Sequence, residues 1–151
     1  MHVTLAHRAL AEKFVFQKDR QDAYIPDSLL DLVSFVYTEE EAAVVSALGF
    51  VGLPARAIAG RLKRPVREVR PILESLADRL LIVSLNMKGF PVYSFMPLAP
   101  GVFESQMIRS NGEYGEYYKE FSRLFEAFYE EFLIWIKPKL EGKDLRFGRI
   151  I

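Results

Sequence analysis

The sequence predicts a mainly helical fold with one small β-hairpin. Apolar residues recur at helical spacing through most of the 151 residues. The spacing of apolar residues becomes typical of β-strands only around residues 81–96. There, two apolar runs flank a short loop that contains Gly89. A final tract, from about residue 113 to 136, places aromatic side chains along one helical face.

The length fits a single domain, and half of the residues are hydrophobic, which is enough for a core without disulfides. We expect residues 1–151 to form one domain with its central part at about 38–97. N-terminal helices at 4–37 precede this part, and a C-terminal helix at about 113–137 follows it.

Charge and composition exclude several functional classes. Lys and Arg number 20 and Asp and Glu number 20, so a charged partner must be recognised by a local patch. Cysteine is absent, which excludes disulfides and cysteine-ligated metal sites within these residues. His2 and His7 have no carboxylate at a convincing ligand spacing, so we expect no metal site. The sequence shows no catalytic set of polar residues, and we expect no enzyme.

The first residues lack the continuous apolar segment of a signal peptide. No apolar run approaches the roughly 20 residues that cross a bilayer. We therefore expect a soluble, cytoplasmic protein without a membrane partner.

Three helices are predicted in the first third of the chain. The first covers residues 4–17, and its Leu5 lies among the apolar positions that suit one face. The second begins at Pro26 and ends near residue 37. Thr38, with a glutamate three residues later, forms a capping box that begins a third helix, which extends to about residue 48.

Two short helices and a hairpin follow. A turn at Gly49 and Gly52 leads into a helix over residues 55–62, which the sequence Lys-Arg-Pro at 63–65 interrupts. A second helix, with a buried stripe, runs to about residue 79.

Strand-like segments at residues 81–85 and 92–96 are joined by a loop at 86–90. Helix, turn, helix and hairpin is the order of a winged helix-turn-helix, here with extra N-terminal helices and a long aromatic C-terminal helix.

The end of the chain is predicted to be a connector and one long helix. Pro97 and Pro100 close the second strand, and residues 101–111 form the connector. Within it, Val102 and Phe103 are expected to pack on the core. The final helix, from about residue 113 to 136, should stop at the proline at position 138.

The helix-turn-helix carries the first functional hypothesis, because its second helix can enter the DNA major groove. Basic residues cluster at the turn and on the presumed outer face, in a chain without net charge, and one more lies at the hairpin tip. An arginine that pairs with guanine contributes roughly 1–3 kcal/mol of discrimination. The predicted nucleic-acid-binding residues are Arg61, Lys63, Arg64, Arg67, Arg70 and Lys88.

Other features of the same segment favour a protein partner instead. Pro71 removes a backbone hydrogen bond inside the presumed recognition helix. Glu68, Glu74 and Asp78 would face phosphates with like charge, and the hairpin tip carries a single lysine. A winged helix that only binds protein therefore remains the alternative.

The aromatic C-terminal stripe carries a second hypothesis, a homodimer interface, because large aromatic side chains dominate many interfaces. In the alternative, the first helix covers the stripe within the same chain. The predicted interface residues are Tyr114, Tyr118, Phe121, Phe125, Phe128, Phe132 and Trp135.

Four segments resemble a known family. Residues 29–48 (LLDLVSFVYTEEEAAVVSAL) and 54–82 (PARAIAGRLKRPVREVRPILESLADRLLI) resemble the N-terminal winged-helix module of four-iron ferredoxin-type iron-sulfur proteins from anaerobes. Residues 100–104 (PGVFE) and 146–151 (RFGRII) look like the connector and apolar tail of that module.

The resemblance implies that the chain is a fragment whose iron-sulfur clusters would be bound by a C-terminal region beyond it. No cluster ligand can be assigned within this chain, so we expect no cofactor here. The apolar end at residues 149–151 fits a polypeptide that was cut midway.

We therefore expect a non-catalytic winged-helix module that acts as a DNA-binding transcriptional regulator or as a regulatory domain of an iron-sulfur protein. The alternative is an interaction or dimerisation domain that positions an electron-transfer partner and binds no nucleic acid. The partners to be tested are DNA, a second copy of the chain, and an iron-sulfur domain or other redox protein.

Overall fold

The computed structural model describes residues 2–15, 25–109 and 115–140. This part of the chain is mainly helical with one two-stranded antiparallel sheet, as predicted. Its elements are α1 (Leu5–Phe14), α2 (Asp27–Val36), α3 (Glu39–Ser46), α4 (Ala55–Leu62), α5 (Val66–Asp78), β1 (Val83–Met87), β2 (Phe90–Ser94), α6 (Phe103–Arg109) and α7 (Glu116–Leu140).

Capping boxes begin α1 and α3, as the threonine spacing predicts for α3. The buried face of α1 consists of His7, Leu10 and Ala11. The prediction that Leu5 shares this face was wrong, because Leu5 lies on the solvent side and is 85% exposed. The predicted end of the first helix, at residues 16–17, lies outside the described residues.

The turn between α4 and α5 has a local cause. Lys63 adopts a left-handed conformation with φ of 54°, and its N–H donates to the Gly60 carbonyl at 3.2 Å. The next N–H, from Arg64, reaches back to the Ala59 carbonyl at 3.1 Å. This pair of hydrogen bonds closes the end of α4, and Pro65 then begins α5.

Helix α5 continues through Pro71. The core side of α5 is formed by Val69, Leu73 and Leu76, all fully buried. Pro71 lies on the exposed side, where water can hydrogen-bond the helix carbonyl that proline leaves without a donor.

The hairpin differs from its predicted bounds. Lys88 and Gly89 form a two-residue turn with φ of 53° and 92°, which is the tight connection that suits paired strands. Met87 therefore pairs with Phe90, and Leu85 pairs with Val92. The predicted loop at 86–90 was too long, because Met87 and Phe90 pair instead of leaving the sheet.

A third segment joins the sheet where only a turn was predicted. Leu53 exchanges two backbone hydrogen bonds with Tyr93, at 3.0 and 2.8 Å. The Phe95 N–H also donates to the Gly49 carbonyl at 2.7 Å. The segment between α3 and α4 is thus attached to the outer edge of β2.

The predicted connector at 101–111 was wrong in its first part, because a π-helical turn at Leu98–Val102 leads directly into α6. The Glu104 carboxylate accepts a hydrogen bond from the Gly101 N–H and so caps this start. Val102 is buried, and the Phe103 ring stacks on Phe125 with 4.1 Å between centroids. The expected packing of Val102 and Phe103 on the core is confirmed.

Helix α7 lies antiparallel to α2, since Tyr117 stacks on Phe35 and Glu131 accepts a hydrogen bond from Ser28. The prediction that this helix stops at Pro138 was wrong, because α7 runs to Leu140. The carbonyl that loses its donor to Pro138 belongs to the exposed residue Ile134 and can bind water.

Helices α2 and α6 cover the aromatic stripe of α7. The alternative prediction, that the first helix covers it, was wrong.

Among the residues that the structure describes, no helix combines the length and the apolar character that a membrane span needs.

Candidate nucleic-acid interface

The predicted basic residues surround the α4–α5 turn but fall into different environments. Lys63 occupies the left-handed position at the end of α4 and is exposed. Arg61, also exposed, donates a hydrogen bond to the Ala47 carbonyl at the end of α3, at 3.2 Å. That contact is single and on the surface, so Arg61 can leave it to meet a ligand.

Arg64 is held by acidic neighbours. Its Nη2 atom lies 2.6 Å from Oε1 of Glu40 and 3.4 Å from Oε2 of Glu68. The hydrogen bond that Arg64 donates to the Glu40 carboxylate raises the pKa of the Arg64 guanidinium. A phosphate would have to displace these carboxylates, so the geometry does not favour Arg64 as a DNA contact.

Arg67 and Arg70 lie in the first half of α5 with exposed side chains. Neither forms an ion pair within 4.0 Å with any described residue. The buried residues Val69 and Leu73 fix α5 on the core, so the two guanidinium groups point away from it. Arg67 and Arg70 are therefore the two predicted residues of α5 whose guanidinium groups can contact a ligand.

One basic residue was not predicted. Arg56, in the first turn of α4, is exposed and lies four residues before Gly60 and seven before Lys63. Arg56 and Gly60, four residues apart, therefore share a side of α4 that is exposed to solvent. The spacing in the sequence could have revealed it.

The second half of α5 has the opposite charge. Glu74 and Asp78 are exposed and follow the two arginines toward the C-terminal end of the helix. Both lie near the hydroxyl of Tyr93 on β2. Burial and the Glu74 carboxylate raise the pKa of Tyr93, and Arg70 lowers it. The basic surface therefore ends near the middle of α5.

The hairpin presents more apolar than basic surface. Lys88 is exposed at its tip, as predicted. On one face of the hairpin, however, Leu85, Met87 and Phe90 are each more than half exposed. A hairpin of this composition can supply one phosphate contact beside an apolar surface.

The predicted dimer-interface residues mostly face the chain's own core. Tyr118, Phe121 and Phe128 are buried, and the half-buried rings of Phe125, Phe132 and Trp135 adjoin them. Tyr114 lies outside the described residues. The side chains of Phe121 and its buried neighbours are therefore not available to a second molecule.

Potential metal ligands do not converge in the described ranges, where no group of three His, Asp or Glu side chains is close enough to hold an ion. His7 is buried and used structurally. Its Nδ1 accepts the Thr4 N–H at 3.1 Å, and its Nε2 lies 2.7 Å from the Tyr37 carbonyl. Because an N–H can only donate, Nδ1 is the acceptor and Nε2 carries the proton.

Comparison of the chain with known protein families, with curated protein sequences and with solved structures gives no match. The candidate interface is therefore defined by its own geometry. It consists of Arg67 and Arg70 on α5, Arg61 and Lys63 beside the α4–α5 turn, and Arg56 at the start of α4.

Proposed function

We propose that this chain is a winged helix-turn-helix domain that binds duplex DNA with the first half of α5. The order of elements supports this fold: α3, the strand-like segment at Leu53, α4, α5, and then the hairpin of β1 and β2. In such domains the second helix of the turn enters the major groove and the hairpin lies over the adjacent backbone.

The exposure of Arg67 and Arg70 is the observation that carries the proposal. Exposed arginines near the start of a recognition helix can bind phosphates or pair with guanine edges. Glu74 and Asp78 repel phosphates, so α5 would enter the groove by its N-terminal half. Lys88 then contributes a flanking phosphate contact.

DNA titrations at two salt concentrations test this function. The whole chain is titrated with a random duplex of about 20 base pairs, about two helical turns. The association constant is measured at about 50 and about 200 mM salt. Its logarithm must fall linearly with the logarithm of the salt concentration, with a slope of about −0.9 per phosphate contact. The double variant Arg67→Ala/Arg70→Ala should lose roughly ten-fold or more in affinity and reduce the slope by about 2.

The matched control removes two positive charges elsewhere. Lys119 and Arg123 lie on α7 and pair with neighbouring glutamates of the same helix. The variant Lys119→Ala/Arg123→Ala should bind DNA as the unmodified chain does. Binding that is absent at low salt, or that both double variants weaken equally, contradicts a specific role for α5.

A second function is favoured by the apolar hairpin. Leu85, Met87 and Phe90 form a surface that suits a protein partner better than a phosphate backbone. We propose as the alternative an adaptor domain, and the resemblance to iron-sulfur proteins offers a ferredoxin-type domain as the partner. This function predicts no DNA affinity at low salt, and slowed amide exchange in β1 and β2 when such a domain is added.

A further inference from the structure

The C-terminal half of α7 carries more apolar surface than the described chain covers. The sequence Phe-Leu-Ile-Trp-Ile spans residues 132–136, directly after Glu131, whose carboxylate contacts the first turn of α2. Phe132 adjoins Phe128 and faces the core. Leu133 is 43% exposed and Ile134 is 77% exposed. The outer side of this part of α7 therefore presents apolar side chains to solvent.

The exposed apolar pair shares a face with two charges of opposite sign. With about 3.6 residues per turn, Glu130, Leu133, Ile134 and Lys137 lie on the side of α7 opposite to Phe128. Glu130 and Lys137 are both exposed, and neither forms an ion pair with the described residues. We name this set the α7 outer face.

The two charges of the α7 outer face can pair between two copies of the helix. Glu130 lies three residues before Leu133, and Lys137 lies three residues after Ile134. If two copies of α7 run antiparallel about a two-fold axis between Leu133 and Ile134, Glu130 of each copy faces Lys137 of the other. A parallel arrangement would instead place like charges together.

We propose that a second copy of this chain docks on the α7 outer face in this antiparallel arrangement. Leu133 and Ile134 of the two copies form the apolar centre, and two Glu130–Lys137 pairs bracket it. The contact uses residues different from the predicted interface stripe, which α2 and α6 already cover. It is also independent of DNA binding, because no residue of α4 or α5 takes part.

The expected affinity is modest. A contact of about two helical turns buries less than the roughly 800 Å² per partner of a standard interface. The dimer should therefore dissociate on dilution, and its charge pairs should determine the relative direction of the two helices more than the strength of binding.

A charge-swap series tests the arrangement. Sedimentation equilibrium on the whole chain, from about 1 to about 100 μM, should show a monomer–dimer equilibrium. Glu130→Lys and Lys137→Glu each create two like-charge contacts and should raise the dissociation constant roughly ten-fold or more. The double variant Glu130→Lys/Lys137→Glu restores both pairs and should return it to near the original value.

Two further variants complete the test. Ile134→Asp places a charge at the centre of the contact and should give a monomer. The fold should stay intact because the Ile134 side chain is mostly exposed. Glu116→Lys changes a charge in the first turn of α7, outside the contact, and should dimerise as the original chain does. Circular dichroism checks that each variant keeps its helices.

Three results would overturn the proposal. One is a chain that remains monomeric at about 100 μM, where a weak interface should already associate. Another is a dimer that neither single charge reversal nor Ile134→Asp weakens. The last is a double swap that fails to restore association, because the antiparallel register requires that it does.

Discussion

Arg64 Nη2 lies 2.6 Å from Glu40 Oε1, and this ion pair joins the turn before α5 to the first turn of α3. At the other end of α5, Arg79 donates a hydrogen bond to the carboxylate of Glu41. Two adjacent glutamates thus hold both ends of α5. The acids at the start of α3 therefore hold α5 in place as well as favouring the positive end of their own helix dipole.

Replacing Arg64 by Gln separates its structural role from DNA binding. The variant loses the ion pairs with Glu40 and Glu68, so the midpoint of urea unfolding should fall slightly. DNA affinity should fall much less than in Arg67→Gln, because Arg64 already has carboxylate partners. If both variants lose DNA affinity equally, Arg64 is a DNA contact after all.

The hairpin turn should depend on Gly89. Its φ of 92° is unfavourable for a side chain, so Gly89→Ala should destabilise the fold by about 1 kcal/mol in urea unfolding. The matched control is Gly60→Ala, since Gly60 lies in α4 with open space around its Cα. That variant should gain about 0.5–1 kcal/mol. Equal effects would contradict the turn geometry.

Tyr37 carries a buried hydroxyl for which the described residues provide no hydrogen-bond partner. Burying such a group without a partner costs free energy. Tyr37→Phe should therefore be neutral or should raise the free energy of unfolding by about 1 kcal/mol. A loss of more than about 1 kcal/mol would show that the hydroxyl has a partner in the folded protein.

Alkaline pH should destabilise the folded state through the same residue. Burial raises the pKa of Tyr37 far above its ordinary value. The unfolded chain loses the proton near pH 10 and the folded chain retains it, so stability falls as the pH rises above about 10. Unfolding followed at several pH values should show a slope of up to about 1.4 kcal/mol per pH unit from this group. Tyr37→Phe should reduce that slope.

His7 should contribute to stability through its buried hydrogen bonds. His7→Leu keeps an apolar volume but leaves the Tyr37 carbonyl and the Thr4 N–H without their partner. The free energy of unfolding should fall by about 1–3 kcal/mol in urea titrations. His2→Leu, at an exposed position, should change it by less than about 0.5 kcal/mol. Equal effects would show that the buried bonds contribute nothing.

Local sequence signals determined most of the helices. Thr38 with Glu41, and the prolines before α4 and α5, mark helix starts whose hydrogen bonds involve only neighbouring residues. The strand-like segment at Leu53 could not be predicted in this way. Its backbone hydrogen bonds go to Tyr93, a residue 40 positions away, and the local sequence shows only a turn.

The sequence by itself determined that the chain is mainly helical with one hairpin, that basic residues lie around the break between two short helices, and that one helix is rich in aromatic residues. Only the tertiary structure decided that Arg64 is paired while Arg67 and Arg70 are available, and that α2 and α6 cover the aromatic stripe. The physical reason is distance along the chain. Caps and periodicity act within a few residues, whereas ion pairs such as Arg64–Glu40 and ring contacts such as Phe103–Phe125 join segments that only folding brings together.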